Sequence, residues 1–125
     1  MFTYAGNIHI HTFYSDGCGS IDEIAACAAD AGLSYIIVTD HETLAGLPEE
    51  GIRHGVAVLV GAELNREGHH YLVLDLERLP AGNEDNPQEM IDRVRNTGAL
   101  GFIAHPFEKG SPYINRGKSY HWTHL

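Results

Sequence analysis

Short apolar runs, separated by polar or glycine-rich stretches, set the hydropathy pattern of the chain. Parallel strands covered on both faces read as continuous apolar segments rather than as alternation. Asn7 to Ile10, Tyr35 to Thr39, Ala57 to Val60, Tyr71 to Leu74 and Leu100 to Ala104 fit that description. Helical spacing fills two of the intervals. Ser20 followed by Glu23 has the form of a capping box, Ile21, Ile24, Ala25 and Ala28 share one stripe, and Gly32 supplies a stop. Asn86-Pro87 with Glu89 starts a second helix that runs to about Asn96, before Gly98. Leu44 to Gly55 predicts a weaker helix broken by Pro48. Glu77 to Asp85, polar and carrying Pro80 and Gly82, predicts an exposed loop. Strand and helix in alternation predict an α/β sheet or barrel with its functional residues at the carboxyl ends of the strands.

Histidines and carboxylates gather at those ends. His9 and His11 close the first predicted strand, Asp40 and His41 follow the second, Glu63 follows the third and His105 follows the fifth. Side chains two apart on a strand project from one face, so His9 and His11 can share an ion. Asp16 places a carboxylate in the loop beyond them, and Asp40 stands where it could orient a ligand from behind. Helix caps or satisfied core histidines would account for any one of these residues, but not for the set. Such a ligand mix suits zinc, manganese or iron and is unlike a calcium site. His54 falls at a predicted helix end, where it would complement the dipole.

Composition narrows the choice. The 125 residues have room for one domain with a packed core. No apolar run nears the roughly 20 residues that cross a bilayer, and MFTYAG lacks the layout of a signal peptide, so a cytoplasmic location is expected. Cys18 and Cys27 form neither a disulfide framework nor a zinc-knuckle spacing. A net charge of −9 opposes nonspecific nucleic-acid binding and favours a small phosphorylated substrate drawn in by metal. Nine His against eight Lys plus Arg is the most unusual count, and it points the same way.

NIHIHTFYSDG, VTDHE, GAEL and AHP, in that order over about residues 7 to 107, resemble the polymerase and histidinol phosphatase (PHP) family. The resemblance implies a distorted TIM-like (β/α)7 barrel, here incomplete with about five strands. It also implies two or three divalent ions and hydrolysis of phosphate esters by a metal-activated water. Family members act on histidinol phosphate and small nucleotides, and one branch sits within bacterial replicative DNA polymerases. Carried over by motif, His9, His11 and Glu63 would hold the first metal and its water, and Asp16 and His41 the second. Glu63 would bridge to a third, completed by His70 and His105. Because His70 lies near the start of its predicted strand, Asp75 at the far end and the adjacent His69 are alternatives.

The family's later Asp-x-His pair has no counterpart after residue 107. Residues 1–125 therefore read as one PHP-like domain lacking its C-terminal part, completed, if at all, by another subunit or an unusual tail. His121 and His124 are not taken as ligands. Lys109, Arg116 and Lys118 either grip the substrate phosphate or form a solvated basic loop, and Gly17 and Gly19 suit a tight turn. The expected activity is that of a metal-dependent phosphatase. The alternatives are a catalytically incomplete metal-binding module and an amidohydrolase-like metal hydrolase. An unfinished barrel exposes a strand edge that a second copy could cover.

Overall fold

The computed structural model describes residues 1–66, 69–81 and 87–105. Strand β1 (Gly6–Ile10) leads to helix α1 (Ile21–Asp30), then to β2 (Tyr35–Val38), β3 (Gly51–Arg53), β4 (Val56–Val60), β5 (Ala62–Arg66), β6 (His69–Leu74), helix α2 (Pro87–Thr97) and β7 (Leu100–Ile103). The signals at the ends of α1 act as the sequence predicts. Ser20 and Glu23 cap each other reciprocally. At the other end Gly32, at φ 75, lets the Gly32 and Leu33 amides return to the Ala29 and Ala28 carbonyls.

Two sheets result. The first has the order β1-β2-β4-β3, with β1, β2 and β4 parallel and β3 antiparallel on the edge. In the second, of order β5-β6-β7, every pairing is antiparallel. One run of chain serves both: β4 passes through Gly61 directly into β5. The Gly61 amide donates to the Val38 carbonyl at 2.7 Å. A Cβ at this position would lie 2.3 Å from the Val73 carbonyl oxygen, so only glycine fits the crossing. Alternation continues across it. Val56, Val58 and Val60 pack with Ile21, Ala25 and Ala28 of α1, while Ala62 and Leu64 pack with Met90, Ile91 and Val94 of α2. Leu59 and Glu63 consequently face the other way.

The architecture is mixed α/β, as expected. The described sheets are open, and no closed barrel occurs among the described residues; Leu59, Leu100 and Phe102 remain exposed. All five expected strands form, and β3 and β5 are additional. The helix expected over Leu44 to Gly55 is instead a single 3-10 turn at Leu47–Glu49, followed by β3 and a two-residue hairpin turn. His54 (φ 52) and Gly55 (φ 81) both take the left-handed conformation that such a hairpin demands. His54 therefore serves a turn rather than a helix end, and its Nε2 lies 3.2 Å from Asp22 Oδ1. Glu77 to Ala81 are irregular, and residues 82–85 of the expected loop, with Asn86, lie outside the described residues. No described helix is long and apolar enough to cross a membrane.

Substituting Gly61 with Ala forces Cβ against a backbone carbonyl that cannot swing aside. We expect a loss of about 1–3 kcal/mol in urea unfolding, and an unchanged midpoint would contradict the β4–β5 crossing.

Candidate metal centre

Glu63 points away from the helix-covered core, yet only 1% of its side chain is exposed. Five imidazoles enclose it. His9 Nε2 and His11 Nε2 each lie 3.0 Å from Glu63 Oε2, and His41 Nδ1 lies 3.4 Å from the same oxygen. On Oε1, His70 Nδ1 approaches to 2.9 Å and His105 Nε2 to 3.1 Å.

They arrive by four routes. His9 and His11 project from one face at the end of β1, and their Nε2 atoms are 3.0 Å apart. His41, just past β2, forms a parallel bridge with Glu63. His70 comes from the amino end of β6, which is the correct end because β6 runs antiparallel to β5, pairing His70 with Asn65 and Leu72 with Glu63. The reason for holding Asp75 as an alternative thus disappears: it closes the opposite end of the strand, beside a cleft lined by Ile37, Leu59, Leu74 and Leu100. The side chain of His69 lies outside what is described. His105 follows β7, which is antiparallel in turn, and the Ala104 amide donates to the His70 carbonyl at 3.0 Å.

Asp16 joins from the loop after β1, its Oδ1 3.3 Å from His11 Nδ1 and its Oδ2 3.7 Å from His41 Nε2. Asp40 turns the other way. Almost fully buried, it accepts the Thr12 amide at 2.7 Å, the Thr12 hydroxyl at 2.6 Å and the Ser15 hydroxyl at 2.5 Å. Its carboxylate thereby holds the loop that carries His11 and Asp16, which confirms an orienting place but through a loop rather than an imidazole. Gly17 completes the loop: its amide donates to the Thr12 carbonyl, and a Cβ there would meet the His11 carbonyl oxygen at 2.1 Å. Thr12 and Ser15 were legible as residues but not as partners of Asp40, which is 28 and 25 positions away. Lys109, Arg116, Lys118, His121 and His124 lie outside the described residues.

Burial alone would push the Glu63 carboxyl up. Hydrogen bonds from His70 and His9, with the positive charge on those rings, outweigh it and hold the group well below the usual carboxylate range. The same bond to Glu63 raises the pKa of His9 against the effect of burial. His11 shifts the opposite way, lowered by burial and by the neighbouring His41. Adjacent imidazoles therefore differ in proton affinity, His9 holding a proton more tightly than a free imidazole and His11 less tightly.

The donors suit a divalent cation. His41 Nδ1 and His70 Nε2 are buried with no hydrogen-bond partner among the described residues, an arrangement that is costly unless a cation or another polar group engages the nitrogen. His9 Nε2, His11 Nε2 and Glu63 Oε2 are mutually 3.0 Å apart. That is near the ~3.4 Å edge of a tetrahedral shell with bonds of ~2.1 Å. Three donor groups overlap through Glu63 and His41: His9, Glu63 and His105; His11, Asp16 and His41; His41, Glu63 and His70.

Residues 7–116 match the model of the PHP domain. A phosphoribosyl 1,2-cyclic phosphate 1,2-diphosphodiesterase of Eggerthella lenta is 36% identical over 62 residues, covering 47% of this chain and 24% of that protein. An error-prone DNA polymerase of Symbiobacterium thermophilum is 32% identical over 73 residues, covering 54% of this chain and 7% of the polymerase. The chain thus matches a quarter or less of the length of these relatives. A two-domain protein from Bacteroides vulgatus, described as containing a predicted PHP-like metal-dependent phosphoesterase, superposes with a TM-score of 0.66. The superposition covers 96% of this chain and 39% of that one at 20% identity, a likeness of fold.

Because the folded pKa of Glu63 lies below its ordinary value of 4.5, its contribution to stability is present above that pH and is lost as the pH falls below it. In chelator-treated protein the melting temperature should fall more steeply below about pH 4.5 in the wild type than in Glu63→Gln. Parallel acid limbs would refute that role.

Proposed function

The chain belongs to the PHP domain family, and from that membership we propose that it is a metal-dependent phosphoesterase acting on a small phosphomonoester or nucleotide. The observation that carries this reading is the buried Glu63 carboxylate ringed by five imidazoles, with two imidazole nitrogens lacking any other partner among the described residues. We assign His9, His11, Asp16, His41, Glu63, His70 and His105 as the ligands of two or three zinc, manganese or iron ions. His9, His11 and Glu63 would hold the first ion, Asp16 and His41 the second, and Glu63 would be shared with a third held by His70 and His105. Divalent cations held by these residues would supply Lewis acidity for activating a water and neutralising phosphoryl oxygens.

The chain's own groups do the rest. Glu63 stays ionised at any working pH and so contributes full negative charge to the cations. Asp40, through Thr12 and Ser15, fixes the loop that presents His11 and Asp16. Lys109, Arg116 and Lys118 are proposed to grip the substrate phosphate. The net charge of −9 favours a small substrate over a nucleic-acid backbone. We further propose that residues 1–125 are one unit of an incomplete TIM-like barrel, cytoplasmic in location, whose open strand edge a second copy covers.

A second reading, a cation-binding module without turnover, draws support from Asp16: its side chain is 69% exposed, and it stands 3.7 Å from His41, the loosest pair in the cluster. Elemental analysis of the natively purified chain, with turnover of a chromogenic phosphomonoester, separates the two. The leading reading expects two or three ions per chain and His9→Ala lowering both ion content and turnover; metal without turnover selects the module. Because a cation competes with protons for the imidazoles, and the pKa of His9 is raised by Glu63, apparent affinity should weaken on acidification, by up to about tenfold per pH unit for each proton released. Calorimetry in two buffers of different ionisation enthalpy checks this, and an affinity independent of pH would contradict it.

A further inference from the structure

Glu42 follows His41 directly and has a left-handed backbone, φ 52, which a residue with a Cβ rarely adopts. The segment it ends lies parallel to β5. The Glu63 amide donates to the Asp40 carbonyl and the Glu42 amide to the Glu63 carbonyl, each at 3.1 Å. A regular parallel ladder would next join the Asn65 amide to the Glu42 carbonyl. Here the left-handed residue turns the chain away, and the Asn65 amide donates to Glu42 Oε1 instead. The side chain thus supplies the rung that the backbone abandons.

We propose that Glu42 is a positioning residue of the metal centre, its carboxylate extending the ladder by one rung so that Glu63 is held from both sides. Glu63 then has its carbonyl fixed by the Glu42 backbone and its next-but-one amide fixed by the Glu42 side chain. Strand β5 lies at the edge of its sheet, so the segment 40–42 is what holds its outer side. The 3.4 Å approach of His41 Nδ1 to Glu63 Oε2 spans this same bridge and depends on its register. Glu42 belongs to none of the donor groups found among the described residues, so it acts through His41 and Glu63.

The inference rests on the proposed cation site, and the test separates the two. The full chain, Glu42→Gln and Glu42→Gly are titrated with Co2+. Visible absorption reports coordination geometry, chelator competition reports affinity, and metal-free melting curves are recorded in parallel. Gln keeps the acceptor oxygen, whereas Gly removes it while suiting the left-handed backbone. Glu42→Gln should retain the wild-type spectrum and bind within about threefold, a neutral acceptor being somewhat weaker than a charged one. Glu42→Gly should bind about tenfold more weakly, as supporting residues of metal sites do, with an altered spectrum and a metal-free melting temperature within a few degrees of wild type. A wild-type spectrum and affinity in Glu42→Gly would overturn the positioning role, as would an equal loss in Glu42→Gln. A wild-type chain that binds no Co2+ would overturn the cation reading itself.

Discussion

A carboxylate almost wholly removed from water is the constraint on which this molecule turns. An isolated buried carboxylate costs several kcal/mol, and Glu63 escapes that cost only because five imidazoles from separated parts of the chain converge on its two oxygens. The dependence runs in both directions. Without Glu63, the histidines would crowd one another, with His9 and His11 nitrogens already 3.0 Å apart and the His11 and His41 ring centroids 4.4 Å apart. Without the histidines, Glu63 would be an unpaired charge at the junction of two sheets. A cluster of this kind favours cations electrostatically, and it accounts for how opposing proton affinities coexist in adjacent rings.

Convergence of that sort requires an unusual backbone, and Gly61 provides it. By letting β4 continue as β5, it places one strand in both sheets and brings residue 63 opposite the segment leaving β2. Antiparallel pairing then folds β6 and β7 back so that a strand beginning at β6 and a strand ending at β7 deliver His70 and His105 to the same end. The helices cover the opposite face. Packing and chemistry are thereby divided between the two sides of the strands, with Val58, Val60, Ala62 and Leu64 on one and Glu63 on the other.

Around the cluster, carboxylates that do not touch its centre organise the chain that does. Asp40 gathers Thr12 and Ser15 into the loop bearing Asp16, and Glu42 supports the edge of β5. The motif Thr39-Asp40-His41-Glu42 therefore contains one inward imidazole flanked by two structural acids. This division follows from strand alternation and from the turn at Glu42, where the chain leaves the ladder.

Much of this was legible in the chain itself. The five apolar runs, the Ser20–Glu23 cap and the Pro87 helix start are local signals, and each formed where short-range patterning placed it. Five of the seven candidate ligands, His9, His11, His41, Glu63 and His105, stand at predicted strand ends, Asp16 lies in the loop beyond the first, His70 came from the family resemblance, and all seven meet in space. Less visible were elements whose existence depends on a distant partner. Strand β3 has Ile52 exposed and no apolar run, and it forms because a left-handed turn at His54-Gly55 folds it onto β4. Strand β5, interrupted by Glu63 and Asn65, reads as polar until the imidazoles and the Glu42 carboxylate are in place. His70 stood at the apparently wrong end of its strand because periodicity reports which residues share a face, not which direction a neighbouring strand runs. The candidate ligand set and the local elements were thus legible in the sequence alone. The strand directions, the two-sheet crossing and the division of acids into central and supporting were decided only in the tertiary structure, since each depends on hydrogen bonds between residues far apart in the chain.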